Sequence, residues 1–138
     1  MATLAFNESN AFTATFGNGD MDADALKMAL TNTAPDAADV TMSDITEITS
    51  GNGYTTGGEA VGIASSSQTG GTYTLVGSGD ITWTGVTGAM ATFRYIVFYD
   101  DTQTGDPIFG WYDHGSEVTL GVGDTYTFST DGVNLISG

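Results

Sequence analysis

The feature that most constrains the fold is a pair of short apolar runs that lie close together in the chain. Residues 93–99 and 108–112 are rich in aromatic and β-branched side chains, and a polar turn with Gly105 and Pro107 separates them. Both runs are too short for a typical helix, and their composition is that of β-strands. The segment therefore predicts two neighbouring strands joined by a polar turn.

The first run is apolar on both faces of the predicted strand. Strict alternation places Phe93, Tyr95, Val97 and Tyr99 on one face, and Ile96 and Phe98 on the other. A strand of this kind is covered on both sides, by the protein itself or by something that sits on the sheet. The run predicts a packed β core or a protein–protein contact.

Other segments extend this β pattern along the chain. Residues 25–31 have a helix-favouring composition but alternate with period two, with Leu26, Met28 and Leu30 on one side, so we interpret them as a strand. Thr41 and Asp44 resemble a capping box, and residues 42–48 are predicted to form one or two helical turns with Ile45 and Ile48 on one face. Further strands are predicted at residues 59–65, 71–76, 81–84, 117–122, 124–129 and 133–136.

Together these segments predict an all-β fold, a single β-sandwich or jelly-roll-like domain with one short helix. The 20 glycines among 138 residues fit short strands joined by many turns. The domain is predicted to span residues 21–138. Residues 1–20 are predicted to form an N-terminal arm whose large apolar side chains are Phe6, Phe12 and Phe16.

The charge balance excludes several classes of partner. Asp and Glu number 17 against Lys27 and Arg94 alone, which gives a formal net charge of −15. Binding to a nucleic-acid backbone needs many Lys and Arg side chains, so direct nucleic-acid binding is not expected. Anionic membrane surfaces are disfavoured for the same reason, and no apolar run is long enough for a membrane helix. The acidic surface indicates solubility, a salt-rich habitat or a basic partner.

Three groups of residues were candidates for chemistry at a site, and none predicts catalysis. Asp20, Asp22 and Asp24 alternate as in a calcium loop, but the glycine and glutamate that an EF-hand needs are absent. Asp100, Asp101 and Asp106 could bind a hard cation or flank a glycosidic bond, although turns are commonly acidic. His114 is the single histidine and no cysteine is present, so a zinc site or a catalytic triad is not expected. The sequence predicts no enzyme, no cofactor and no metal.

The aromatic residues and the two cations leave alternatives open. Five aromatic residues fit either a hydrophobic core or a platform on which sugars stack. They are Trp83, Trp111, Tyr95, Tyr99 and Tyr112. Arg94 is predicted to point away from Tyr95 and to pair with an acidic neighbour, and Lys27 to pair likewise.

The order of the segments resembles a widespread family of small structural proteins of tailed bacteriophages. The segments are, in order, DALKMALTNTAP, SDITEI, GNGYTTGGEAV, DITWTG, FRYIVFYDD, GDPIFGWYDHG and TYTFSTDGVNLISG, and they cover about residues 22–136. Members look like head decoration (cement) proteins, which are β-sandwiches on the capsid exterior that often associate around threefold positions. The resemblance implies fold-defining roles for the matching residues Tyr54, Gly57, Gly58, Trp83, Arg94, Tyr99, Asp101, Gly110 and Gly115.

The resemblance predicts a virion structural protein, made in the host cytoplasm and bound to the outside of the capsid. Its expected partners are the major capsid protein and further copies of itself, with a trimer favoured. The expected partner-binding residues are Phe6, Phe12, Phe16, Arg94, Tyr95 and Tyr99. Two alternatives remain open, a tail or baseplate protein and a carbohydrate-binding β-sandwich module. The second alternative requires Trp83 or Trp111 to be exposed to solvent.

Overall fold

The computed structural model describes residues 6–8, 24–69, 72–131 and 134–137. These residues contain ten β-strands and one 3₁₀ turn, Met42–Asp44. The strands are β1 Phe6–Glu8, β2 Leu26–Thr31, β3 Glu59–Ala60, β4 Gly62–Thr69, β5 Thr72–Ser78, β6 Ile81–Thr84, β7 Phe93–Asp100, β8 Ile108–Val118, β9 Thr125–Phe128 and β10 Asn134–Ser137. The chain is therefore all-β, as the sequence predicts.

The described strands form three antiparallel sheets that pack as a sandwich. A five-stranded sheet has the order β1-β8-β7-β2-β3, a three-stranded sheet has the order β10-β5-β4, and β6 pairs with β9. Leu75 of β5, Trp83 of β6 and Phe128 of β9 lie in one buried cluster with Met28 of β2 and Phe98 of β7. The five-stranded sheet is thus one layer, and the two smaller sheets are the other. The strand order of a jelly roll stays a prediction.

The main core lies between the two layers and is built by alternation along each strand. Leu26, Met28 and Leu30 of β2 all face it, which confirms the period-two interpretation of this segment. The rings of Phe98 and Phe109 pack with their centroids 4.8 Å apart. Trp83 is fully buried here, so the sequence places its largest apolar side chains where they remove most surface from water.

A bulge in β7 changes the predicted alternation at the start of that strand. The pairing of β7 with β8 shifts register between Phe93 and Tyr95. Phe93 therefore lies in the main core together with Ile96 and Phe98, whereas the prediction placed it with Tyr95. The prediction was wrong at Phe93 because strict alternation assumes a regular strand, and a bulge adds one unpaired residue.

A second core covers the outer face of the five-stranded sheet. Ala29, Val97, Tyr99 and Ile108 are buried there, and Met42, Ile45 and Trp111 pack against them. The covering segment is bonded to the sheet edge, since Ile108 N donates to Val40 O at 3.0 Å and Met42 N to Asp106 O at 3.1 Å. Both faces of β7 are thus covered by the same chain. The sequence predicts either a packed core or a protein–protein contact for this strand, and the structure shows the packed core.

The predicted helix is reduced to one 3₁₀ turn, and the described residues include no α-helix. Asp44 accepts hydrogen bonds from Val40 N at 3.0 Å and Thr41 N at 3.2 Å, so the predicted acidic cap is present. Ile45 already has extended backbone angles. Ile45 packs on the second core and Ile48 in the main core, so they do not share a helical face. The prediction was wrong because burial in two cores stretches this segment.

Two predicted boundaries also differ near the C-terminal strands. Residues 117–122 are not a separate strand, because β8 continues through Val118 and then ends. Gly121 N bonds to the Asp124 carboxylate at 3.0 Å, and Gly123 has a φ of +85°. A tight turn therefore leads into β9.

The N-terminal region is described only at β1. The backbone of this strand pairs with β8, with Phe6 opposite Tyr112 and Glu8 opposite Gly110. Part of the predicted arm is therefore the edge strand of the five-stranded sheet. Phe12, Phe16, Asp20 and Asp22 lie outside the described residues.

Gly58 is the best test of the backbone packing between β2 and the turn that precedes β3. It has a φ of +78°, and a Cβ atom there would overlap the carbonyl oxygen of Met28. Gly79 has nearly the same φ, +76°, but open space around the Cβ position. We expect Gly79→Ala to lower the free energy of unfolding by about 1–2 kcal/mol through the left-handed backbone alone. Gly58→Ala should lower it by at least about 3 kcal/mol, because overlap with β2 adds to the same strain.

Denaturant unfolding of both variants beside the wild type measures this difference. Equal losses in the two variants would mean that the contact between Gly58 and Met28 does not constrain the fold.

Candidate functional site

The clearest partly exposed polar cluster on the outer face lies where β7 and β8 pair beyond the second core. Arg94 Nε donates to Asp113 Oδ1 at 2.8 Å, and Arg94 Nη2 donates to Asp113 Oδ2 at 3.1 Å. Both side chains are 37% exposed. The hydrogen bonds from Arg94 lower the pKa of Asp113, and the same pair raises the pKa of Arg94. The predicted pairing of Arg94 with an acidic neighbour is confirmed.

Tyr95 is part of the same cluster. The Arg94 guanidinium carbon lies 5.3 Å from the centroid of the Tyr95 ring, which is within the range of a cation–π contact. The prediction that Arg94 points away from Tyr95 was wrong, because the register shift next to Arg94 breaks the alternation. Glu117 lies near enough to act on the charge of Arg94, and it accepts a hydrogen bond from Asn32 at 3.1 Å. We call Arg94, Tyr95, Asp113 and Glu117 the Arg94 patch.

Tyr99 is separate from this patch and is buried. Only 2% of its surface is exposed, and its hydroxyl donates to Gly57 O at 2.6 Å. Burial raises the pKa of Tyr99, so the phenol stays neutral and holds the glycine turn over the second core. Of the residues that were expected to bind a partner, Tyr99 therefore has a structural contact inside the domain.

Glu47 organises the same turn, and sequence reasoning did not single it out. Its carboxylate accepts hydrogen bonds from the Tyr54 hydroxyl and from Gly57 N. The Tyr54 hydroxyl in turn accepts a bond from Leu30 N at 3.1 Å. Burial, followed by the bond to Glu47, raises the pKa of Tyr54. These contacts tie the turn before β3 to β2, so Tyr54 has a structural role in this fold.

The acidic turn between β7 and β8 does not gather its three carboxylates into one site. Asp101 pairs with Lys27 at 3.2 Å, which confirms the predicted pairing of Lys27. Asp106 has a φ of +50° and bonds through its backbone to Met42. Asp100 points inward and is fully buried. Among the described residues, no three His, Cys, Asp or Glu side chains come together in a group that could hold a metal ion.

The Asp100 carboxyl group is held rigidly against the start of β2. Its Oδ1 accepts from Thr102 N at 2.9 Å and from Gln103 N at 3.3 Å. The Gln103 side chain donates to Asp24 Oδ2 at 2.9 Å, so one residue contacts both carboxyl groups. Asp100 Oδ2 is buried and has no N–H or hydroxyl donor in the described part of the chain.

Asp100 and Asp24 are therefore expected to share a proton below about pH 6. Burial, and then the bond to Asp24, raises the pKa of Asp100 to about 6, whereas that bond lowers the pKa of Asp24. The protonated Asp100 is the donor and the ionised Asp24 is the acceptor, because two ionised carboxylates this close repel each other.

The histidine and the tryptophans complete the set of candidate residues. His114 Nδ1 lies 3.0 Å from the Tyr126 hydroxyl, which is the local hydrogen bond expected of a strand histidine. Trp83 is 1% exposed, so its ring offers no face to a sugar, and this part of the carbohydrate-binding alternative is wrong. Trp111 is half-buried against the second core. No helix in the described residues is long and apolar enough to span a membrane.

Comparisons with known proteins add no relative. The chain matches no protein-family model, no curated protein and no solved structure. The interpretation of the Arg94 patch therefore depends on its geometry and on the resemblance in the order of the sequence segments.

The proton shared by Asp100 and Asp24 predicts an unusual dependence of stability on pH. The pKa of Asp100 is higher in the folded than in the unfolded chain, so the folded state binds more protons between about pH 4 and 6. The free energy of unfolding should therefore fall by about 1–2 kcal/mol as the pH rises through 6. Asp100→Asn should abolish this decline, because an amide donates to Asp24 at every pH.

Denaturant unfolding between pH 4.5 and 8 measures this effect. Asp101→Asn is the matched control, since it removes one negative charge from the same turn and should keep the decline. A wild-type stability that is flat or rising through pH 6 would contradict the shared proton.

Proposed function

We propose that the protein is a non-enzymatic structural protein of a tailed bacteriophage virion, bound to the outside of the capsid as a decoration protein. Its partners in this proposal are the major capsid protein and further copies of the chain, with a trimer favoured. A packaged genome strains the shell from inside. A rigid domain bound across capsomer boundaries opposes that strain through the surface that it buries, typically about 1,600 Å² in total for a stable contact.

The observation that carries the proposal is the structural position of the residues on which the resemblance to phage structural proteins rests. Tyr54, Trp83 and Tyr99 are buried, and Gly58 approaches the backbone of β2 too closely for a side chain. Gly115 has a φ of +97°, which favours glycine. Residues drawn from separate segments thus each meet a need of one fold. The positions of these residues are therefore consistent with the fold-defining roles that the resemblance implies.

The Arg94 patch is the proposed contact with the shell. Arg and Tyr are enriched at the energetically important centres of protein interfaces, and here they are already held in place by Asp113. A preorganised pair loses little side-chain freedom on binding. In this proposal Phe6, Phe12 and Phe16 of the N-terminal region add apolar contacts to those of the patch.

Binding to capsids tests the proposal directly. Purified protein is mixed with expanded capsids that lack decoration, and bound protein is measured by sedimentation. We expect saturable binding at a fixed ratio to the major capsid protein. Absence of binding at saturating concentration would contradict the capsid assignment. Immunogold labelling of whole virions would then test the tail or baseplate location.

A surface variant tests the Arg94 patch in the same assay. Tyr95→Ala should weaken binding to the capsid about tenfold or more, as expected for an aromatic residue at the centre of an interface. Its unfolding free energy is measured alongside, because Tyr95 is partly buried and contacts Arg94, and the capsid assay is run where the variant is fully folded. Val40→Ala is the control, since Val40 is 37% exposed and lies beside Ile108 at the other end of β8. Unchanged capsid affinity in Tyr95→Ala would exclude the patch as the contact.

A further inference from the structure

The two layers of the sandwich differ completely in charge. Every charged side chain that belongs to a strand lies in the five-stranded sheet: Glu8, Lys27, Glu59, Arg94, Asp100, Asp113 and Glu117. The strands of the other layer, β4, β5, β6, β9 and β10, contain no charged residue. In the sequence from Ala60 to Phe93, Asp80 is the single charged residue. The strands of the five-stranded sheet therefore carry a net charge of −3, from five acidic and two basic side chains, and the strands of the other layer carry none.

The charge-free layer also has an open strand edge. β4 is the edge strand of the sheet β10-β5-β4, and its eight residues, GIASSSQT, pair with β5 alone among the described strands. Gly62, Ala64 and Ser65 are exposed. Natural edge strands are usually protected by charged side chains, by proline or by being short. β4 contains no charged residue and no proline, and it is longer than most strands. A register shift between Ile63 and Ser65 interrupts its pairing with β5.

We propose that a second copy of this chain pairs with the edge of β4, so that the three-stranded sheet continues from one copy into the next. The inference rests on the self-association that the proposed function includes, with a dimer as its unit in place of the favoured trimer, but it does not require a capsid. The partner strand would satisfy the outward-facing backbone groups of β4 by ordinary ladder hydrogen bonds.

The distribution of charge between the layers favours a second copy of the chain as the partner at the β4 edge. Two copies that approach through the five-stranded sheet bring like charges together, and this repulsion opposes association. When two copies meet at β4, those charges stay on the opposite layer of each copy. The two layers of a sandwich are about 10 Å apart, which is close to the distance over which physiological salt screens charge. Three described turns beside this layer carry charge, at Asp80, Asp124 and Asp131. Asp131 accepts a hydrogen bond from Gly79 N at 3.0 Å, and Asp124 accepts one from Gly121 N at 3.0 Å. A strongly basic partner would instead bind the charged layer.

The first test is the oligomeric state of the purified protein. Light scattering coupled to size exclusion should show a dimer, because two β4 edges that pair with each other leave no free β4 edge for a third copy. The dissociation constant of this dimer should fall as the salt concentration rises, because salt screens the repulsion between copies. A monomer at all concentrations and salt conditions would overturn the proposal. An oligomer that dissociates in salt would also overturn it, since that behaviour belongs to contacts between opposite charges.

Charge introduced into the edge gives the second test. Ala64→Asp with Ser65→Asp adds two like charges at exposed positions of the β4 edge in each copy and should raise the dissociation constant at least tenfold. Thr55→Asp with Thr56→Asp is the matched control, since it adds the same charge at exposed positions of the turn before β3. Equal effects of the two double variants would overturn the assignment to β4.

Hydrogen exchange tests the edge without any substitution. The amides of residues 62–69 should become better protected as the protein concentration rises. Protection that is already complete in the monomer would show that the same chain covers the edge, and would overturn the proposal. These measurements use the protein alone, so they test pairing at β4 even if the protein does not bind capsids. The capsid assay likewise tests the proposed function even if no dimer forms.

Discussion

The coverage of β7 on both faces is the constraint on which the rest of the structure depends. Ile96 and Phe98 face the main core, and Val97 and Tyr99 face the second core, all essentially without exposure. An ordinary sandwich sheet has one solvated face, so the second core needs a cover. The segment between β2 and β3 supplies it, and the carboxylate of Glu47 fixes that segment through Tyr54 and Gly57. This connection is therefore an integral part of the fold.

Charge is the second constraint, and it follows from the composition. The two cations are both used in ion pairs, Lys27 with Asp101 and Arg94 with Asp113. No cation remains for Asp100, and burial instead lets its carboxyl group keep a proton up to about pH 6. The same shortage of cations means that attraction to a partner must come from the partner's own positive charge, from burial of uncharged surface or from strand pairing.

The sequence predicts the class of fold well and the details of single sites less well. The period-two pattern identified β2, and the dense aromatic and β-branched composition identified β7, because both signals lie in neighbouring residues. The scarcity of cations indicated that Lys27 and Arg94 pair with acidic side chains. The bulge at Phe93 and the stretched segment at Ile45 depend on which core each side chain enters, and that is decided by distant strands. Glu47 was missed for the same reason, since its partners Tyr54 and Gly57 meet it only in the folded turn. The buried state of Asp100 has no signal in a turn rich in aspartate.

The two proposed contacts use different layers and therefore do not compete. The Arg94 patch belongs to the charged sheet, where a guanidinium, an aromatic ring and carboxylates can meet polar groups of a shell protein. The β4 edge belongs to the uncharged layer, where a second copy can approach without strong repulsion. A protein that stabilises a shell gains from both, because a subunit tied to its neighbours as well as to the shell dissociates only when several contacts break at once. Segregation of charge between layers is thus a physical basis for one small domain to hold two kinds of partner.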